Sequence, residues 1–235
     1  MPAKELITDL MSRDDVEAQV ARVTAKILKD WEQRIIISDP TIPPAQMDRM
    51  EEELAAVLLL ALMQVYRSAA QELADQIQFQ NPNVQAEAQD WAMKTTRDVI
   101  KQFRQDTLNR IQKAKNKNLL HPVLLASVLD TGRAVTLAST YVTQAANSAE
   151  ISTKRQYEIQ RKQQVTINDD GTIVQKPKPD QPEFELIWKT RRDGGVCKIC
   201  SPLHNQPEEV WSKEFPLGPG SPHVRCRCYL EKKIK

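Results

Sequence analysis

The chain has 235 residues, 33 of them Lys or Arg and 31 Asp or Glu, for a formal charge of +2. That near-balance excludes a histone-like polycation whose main activity is coating nucleic acid, and an apolar content of 40 % excludes a disordered chain. Aromatics make up only 5 %, so any core must rest on Leu, Val, Ile and Ala.

Residues 1–163 contain one Gly, six Pro and no Cys, whereas residues 164–235 contain five Gly, eight Pro and all four Cys. Such a shift marks a change of architecture near residue 164. We therefore expect an α+β chain: a long-helix region over 1–163, then a small β-hairpin module over 164–235.

The N-terminus, MPAKELITDLMSRDD, carries acids and no apolar stretch, unlike a signal peptide. A cytoplasmic setting with reduced thiols is expected. The first helix is expected from about Ala3 to Ile37, with a break near Ser12 and a stop at Asp39-Pro40. A second starts after Pro43-Pro44, because proline is tolerated in a first helical turn. Its apolar residues, Met47, Met50, Leu54, Val57, Leu58, Ala61, Leu62, Val65, Leu73 and Ile77, form one stripe. Asn81-Pro82-Asn83 is expected to stop it. Glu51, Glu52 and Glu53 read as a solvated early turn favoured by the helix dipole. The run Leu54 to Tyr66 is shorter than the ~18–20 apolar residues that span a bilayer, so no membrane association is expected. A third helix carries Trp91, Val99, Ile100, Phe103, Leu108 and Ile111 and frays at Lys113 to Asn118. A fourth begins near Asn118, with Pro122 in its first turn. It carries Leu124, Leu125, Val128, Leu129, Val135, Leu137, Ala138, Tyr141 and Ala145 to about Gln163, with Gly132 as a point of kinking. His121 reads as a helix-start residue. This half reads as a helical bundle that presents surfaces to a partner.

The period then changes. Gln164 to Ile167 and Thr172 to Gln175 alternate polar and apolar residues around Asn168-Asp169-Asp170-Gly171, a hairpin signal. The run Lys176 to Pro182 suggests an extended connector, and Phe184 to Thr190 a further strand.

Chemistry concentrates after it. Cys197 and Cys200 are spaced C-x2-C behind Gly194-Gly195; after a 22-residue gap, His223, Cys226 and Cys228 are spaced H-x2-C-x-C. Four N or S donors in a tetrahedron are what structural zinc requires, and thiolates select zinc over magnesium or calcium. There are five candidates for four places. Cys197, Cys200 and Cys226 lead, and His223 and Cys228 compete for the fourth. An extended chain at Arg225 to Tyr229 would point Cys226 and Cys228 to one side and leave His223 outside the ligand set. Four unrelated buried thiols, or disulfides, are the plainer alternatives. Residues 164–235 hold few large apolar side chains, and a module of about 70 residues rarely gains more than ~3–5 kcal/mol from such a core. Zinc contributes ~10 kcal/mol or more in such cases, and with four protein donors no position remains for a reacting water.

The run of Trp188, Thr190, Asp193-Gly194, Cys197, Cys200, Leu203, Pro222, His223, Cys226, Arg227 and Cys228 resembles the C-terminal end of the phage Mu F-like (SPP1-type) head morphogenesis family. The resemblance covers about 40 residues and reaches back over Leu137 to Ala149, where Thr140 and Asn147 match. The loop departs from the family's Leu-Asp-Gly, reading Leu203-His204-Asn205. The resemblance implies a minor capsid protein rather than an enzyme: portal-associated, in contact with portal, major capsid or scaffold proteins, built into the virion after assembly in the host cytoplasm, and contributing to DNA packaging or delivery. From Lys189 onward, ten bases face five acids. Arg225, Arg227, Lys232, Lys233 and Lys235 are the candidate phosphate contacts, with a solvated basic tail as the alternative. Two other functions compete. A zinc-stapled His-Asn-His-type nuclease would use His204 as its base, although the paired His on a strand is missing. A zinc-bearing transcriptional regulator would need a recognition helix that the basic stretch does not form.

Overall fold

The computed structural model describes residues 13–34, 42–117, 129–163, 165–167, 173–175, 182–191, 197–223 and 225–234. Several expectations fall outside these residues: the ends of the first helix at Ala3 to Ser12 and Ile35 to Ile37, Asp39-Pro40, Asn118 to Val128 with His121 and Pro122, the Asn168 to Gly171 turn, the connector to Gln181, Asp193, Gly194-Gly195 and Lys235. The described chain is mostly helical with short antiparallel strands, an α+β arrangement. Helices α1 (Arg13–Arg34), α2 (Pro44–Gln76), α3 (Val84–Asn116) and α4 (Thr131–Gln163) precede the strands β1 (Val165–Ile167), β2 (Ile173–Gln175) and β3 (Phe184–Lys189). A single-turn helix α5 (Glu208–Trp211) and strand β4 (Tyr229–Ile234) follow.

The chain packs as two compact units, Met1–Gln64 with Gln89–Val142, and Val65–Ala88 with Thr143–Lys235. The boundary expected at residue 164 does separate helix from strand. It does not separate the packing units, because the C-terminal segment has too few large apolar residues to close its own core and takes in helical segments.

In the first unit, α1 buries Val16, Val20, Thr24, Leu28 and Trp31 at helical spacing, and Asp14 and Asp15 sit in its first turn, where the dipole favours them. Leu28, Trp31, Met47, Met50, Leu54, Phe103, Ile111 and Leu129 form its core. By length and composition α2 is long and apolar enough to cross a bilayer, contrary to the count of consecutive apolar residues. Its stripe Met47, Met50, Leu54, Leu58, Ala61 and Leu62 is instead buried in this unit. Leu108 and Val135, expected in the core, are exposed. Glu51 is not solvated: it is only 8 % exposed and accepts a 2.7 Å bond from Arg104 Nε, while Asp48 pairs with the same guanidinium. Glu53 accepts the Trp31 indole N–H at 2.9 Å. The fourth long helix starts at Thr131, after the non-helical Leu129 and Asp130. Asp130 Oδ1 accepts the Gly132 N–H at 2.9 Å and caps it, so Gly132 lies in a first turn and kinks nothing.

In the second unit, α2 ends before Asn81. Gln78 takes a left-handed φ of 50°, and the Phe79 and Gln78 N–H groups return to Ala74 O and Asp75 O at 2.8 and 3.2 Å, which satisfies the last carbonyls. Strands β1 and β2 pair antiparallel with Val165 opposite Gln175, as the Asp-Gly turn predicts. Strand β3 pairs antiparallel with β4, from Phe184 opposite Ile234 to Lys189 opposite Tyr229. No strand is expected there from the sequence, where Lys232 and Lys233 read as phosphate contacts or a solvated tail. On its other edge β3 meets the 205–207 loop: the Trp188 N–H donates to Gln206 O at 3.0 Å and the Asn205 N–H to Trp188 O at 2.8 Å. The core joins Leu73, Ile77, Phe79, Ile151 and Tyr157 to Phe184, Leu186, Trp188, Leu203, Trp211 and Leu230. Tyr157 stands between Phe79 and Phe184, with centroids at 5.7 and 5.5 Å. Trp188 packs on Trp211 at 5.9 Å, and the Trp211 N–H donates to Leu186 O at 3.1 Å.

Candidate metal centre

After Cys197 the chain turns tightly. The Ser201 N–H donates to Cys197 O at 3.0 Å, and a 3-10 turn at Ser201–Leu203 follows, with the Leu203 N–H bonded to Cys200 O at 3.1 Å. Pro202 supports this turn because its fixed φ suits a first helical position. The turn brings both sulfurs of the C-x2-C pair to one side, and the Cys200 N–H donates to Cys197 Sγ at 3.3 Å. In the second cluster, Arg225 adopts a φ of 59°, a left-handed bend that lets His223 and Cys226 face the first pair.

All five expected donors converge. His223 Nε2 lies 2.9 Å from Cys197 Sγ and 3.1 Å from Cys200 Sγ, and Cys200 Sγ lies 3.8 Å from Cys226 Sγ. Two triads result, Cys197–Cys200–His223 and Cys200–Cys226–Cys228, each with donor atoms within 4.8 Å of one another. Cys200, 1 % exposed, belongs to both. Cys226 and Cys228 do share a side, but His223 stands among the sulfurs rather than outside them.

This donor set fits a metal ion. Thiolates at ~2.3 Å from a tetrahedral ion stand about 3.8 Å apart, the spacing Cys200 and Cys226 already have. A thiolate and an imidazole on such an ion stand about 3.5 Å apart, so seating one moves the His223 ring outward by a few tenths of an ångström. The acidities point the same way. Cys226 is pulled down to about 2, first by the hydrogen bond from Cys200 and then by that from Cys228. Cys200 is pushed up, chiefly because it donates to Cys226. The hydrogen bond with Cys200 favours the Cys228 thiolate, but its bond to Cys226 and its burial outweigh that and push it up to about 12. Packed this closely, the thiols oppose one another's ionisation. A divalent cation supplies the charge that lets the others ionise. Backbone N–H groups of Gly220 and Cys228 also favour the Cys226 thiolate. The Trp188 indole N–H lies near enough to Cys228 to do the same, without the geometry of a full hydrogen bond.

The second cluster is held on α4. The Gln144 side chain donates to Gly220 O at 2.8 Å. Asn147 Nδ2 donates to Thr143 O, Pro219 O and Cys228 O at 2.9, 3.1 and 3.5 Å, and its Oδ1 accepts the Leu230 N–H at 3.2 Å. Sequence reasoning passed over Gln144, which carries no local signal. Asn147 was visible only through its match to a family pattern.

His204 anchors its loop: its Nδ1 accepts the Thr190 N–H at 3.1 Å and lies 2.8 Å from Thr190 Oγ1. Asn205, at a φ of 64°, accepts from Lys189 Nζ at 2.9 Å. The basic residues are dispersed. Arg225 is exposed and Arg227 half-buried beside the cysteines; Lys232 and Lys233 occupy successive positions of β4 and therefore opposite faces, and Lys232 Nζ bonds Gln76 O at 3.1 Å. No protein-family model, no curated protein and no solved structure matches this chain.

Proposed function

We propose that this chain is a minor head protein of a tailed phage, acting in head morphogenesis at the portal vertex, and that four of the five donors hold a structural zinc ion. Zinc is favoured over harder cations because the set is three or four thiolates with at most one imidazole. The observation that carries the reading is the meeting of Asn147, on α4, with the cysteine segment. These are two stretches that share the family's pattern far apart in sequence, and here they bond around one donor cluster. With four protein donors the ion binds no reacting water, and its work is to hold the 197–228 segment folded. The exposed surfaces of the helices are then free to engage portal, capsid or scaffold proteins.

The nuclease alternative needs His204 as a base, and the anchoring of its Nδ1 at Thr190 suits a loop support better. The test is complementation of a phage lacking this chain. Wild type and His204→Ala should restore filled heads and co-sediment with portal-containing procapsids, and Cys200→Ser should do neither. Absence of the wild-type protein from head fractions would overturn the proposal. Metal-dependent cleavage of plasmid DNA that disappears with His204→Ala would transfer the function to the nuclease.

A further inference from the structure

Two polar side chains of α4 reach the metal cluster through the backbone that carries its ligands. Gly220 is one relay. Its carbonyl accepts the Gln144 amide at 2.8 Å, three residues before the donor His223. The relay requires glycine: φ is +93°, and a Cβ would lie 2.8 Å from Gln144 Cγ and 3.1 Å from the Gln144 backbone N. Cys228 is the other relay, its carbonyl and the next-but-one N–H, that of Leu230, both held by the fully buried Asn147 carboxamide. That amide does for the start of β4 what a neighbouring peptide group would do, and it fixes the backbone just ahead of the strand, where Cys226 and Cys228 lie.

We propose that Gln144 and Asn147 are positioning residues for the metal centre, so that zinc occupancy and the seating of the 218–230 segment on α4 form one coupled equilibrium. The proposal rests on the zinc reading above and adds to it that the staple reports on, and is controlled by, a helix outside the cysteine segment. Partners that hold ligands in orientation commonly change metal affinity by roughly 10–100-fold when lost.

The experiment uses the full chain. Zinc affinity is measured by competition with a chromophoric chelator, and urea stability is measured with and without zinc, for wild type, Gln144→Ala, Asn147→Ala and Gln156→Ala. Gln156 lies on the same helix but bonds Glu87 at 3.1 Å, away from the cluster. Gln144→Ala and Asn147→Ala should each weaken zinc by roughly 10–100-fold. Their Co2+ complexes should keep the tetrahedral thiolate spectrum at saturation, because no ligand is removed. Gln156→Ala should bind zinc as wild type does. A purely structural role would lower stability equally with and without zinc and leave affinity unchanged, and that result would overturn the coupling. Should Asn147→Ala fail to fold, the half-buried Gln144 decides the question alone. Wild-type protein that binds no zinc overturns both this proposal and the zinc reading, whereas zinc held at wild-type affinity in Gln144→Ala overturns the coupling only.

Discussion

Cys200→Ser is the sharpest perturbation of the cluster, because Cys200 is the one donor common to both triads. Structural zinc in small modules contributes about 10–16 kcal/mol. Shared equally among four donors, one ligand carries about 2.5–4 kcal/mol, or about 10²–10³ in affinity. Serine offers a poorer donor on a shorter bond, and at 1 % exposure no water can take the sulfur's place. The variant also removes the thiol that donates to the Cys226 thiolate. The expected result is zinc affinity lower by at least ~10²-fold. Faster amide exchange should accompany it over β3 and β4, with red-shifted emission from Trp188 and Trp211, both fully buried in this unit. Chelator competition, hydrogen exchange and fluorescence read the three effects. Wild-type zinc affinity in Cys200→Ser, or undiminished β3–β4 protection in thoroughly chelated wild type, would refute the reasoning.

Single Cys→Ser and His223→Ala variants should divide the five donors, with four losing zinc by ~10²-fold or more and one by less than ~10-fold; equal losses at all five would contradict a four-donor site. Lys154, 11 % exposed, donates to Glu208 at 2.6 Å and pairs with Glu158 at 3.0 Å. Burial alone would lower its pKa, but the bonds to Glu208 and Glu158 outweigh burial and raise it. The folded state therefore binds that proton more tightly than the unfolded chain. Its contribution is full below the ordinary lysine pKa and is lost as pH rises through the raised value. Lys154→Met should cost about 1–3 kcal/mol at neutral pH. The gap in urea midpoint between variant and wild type should narrow as pH rises through the ordinary lysine range and beyond it; a gap independent of pH would refute the pairing. Trp211→Phe keeps most of the packing on Trp188 but leaves Leu186 O without its indole donor, so thermal unfolding should report a loss of about 1–3 kcal/mol with zinc affinity little changed.

Local chemistry made much of this molecule legible in its residues. The 3.6-residue stripe of α2, its proline start, the Asp-Gly hairpin and the pairing of donors within C-x2-C and within C-x-C all follow from signals within a few residues of one another. Spacings such as C-x2-C constrain side chains through short stretches of backbone. Features set by partners distant in the chain were not legible. Glu51 is buried because Arg104 reaches it, although a run of three acids reads as solvent-facing. Strand β4 exists because β3 offers it an edge, although YLEKKI shows one buried apolar residue and five charged or exposed positions. Helix α2 stops where Gln78 turns left-handed, ahead of the proline that looked decisive. Gln144 and Asn147 gain their role from carbonyls more than seventy positions away. In each case the outcome depends on which groups packing brings within hydrogen-bond distance, and a window along the chain does not contain those groups.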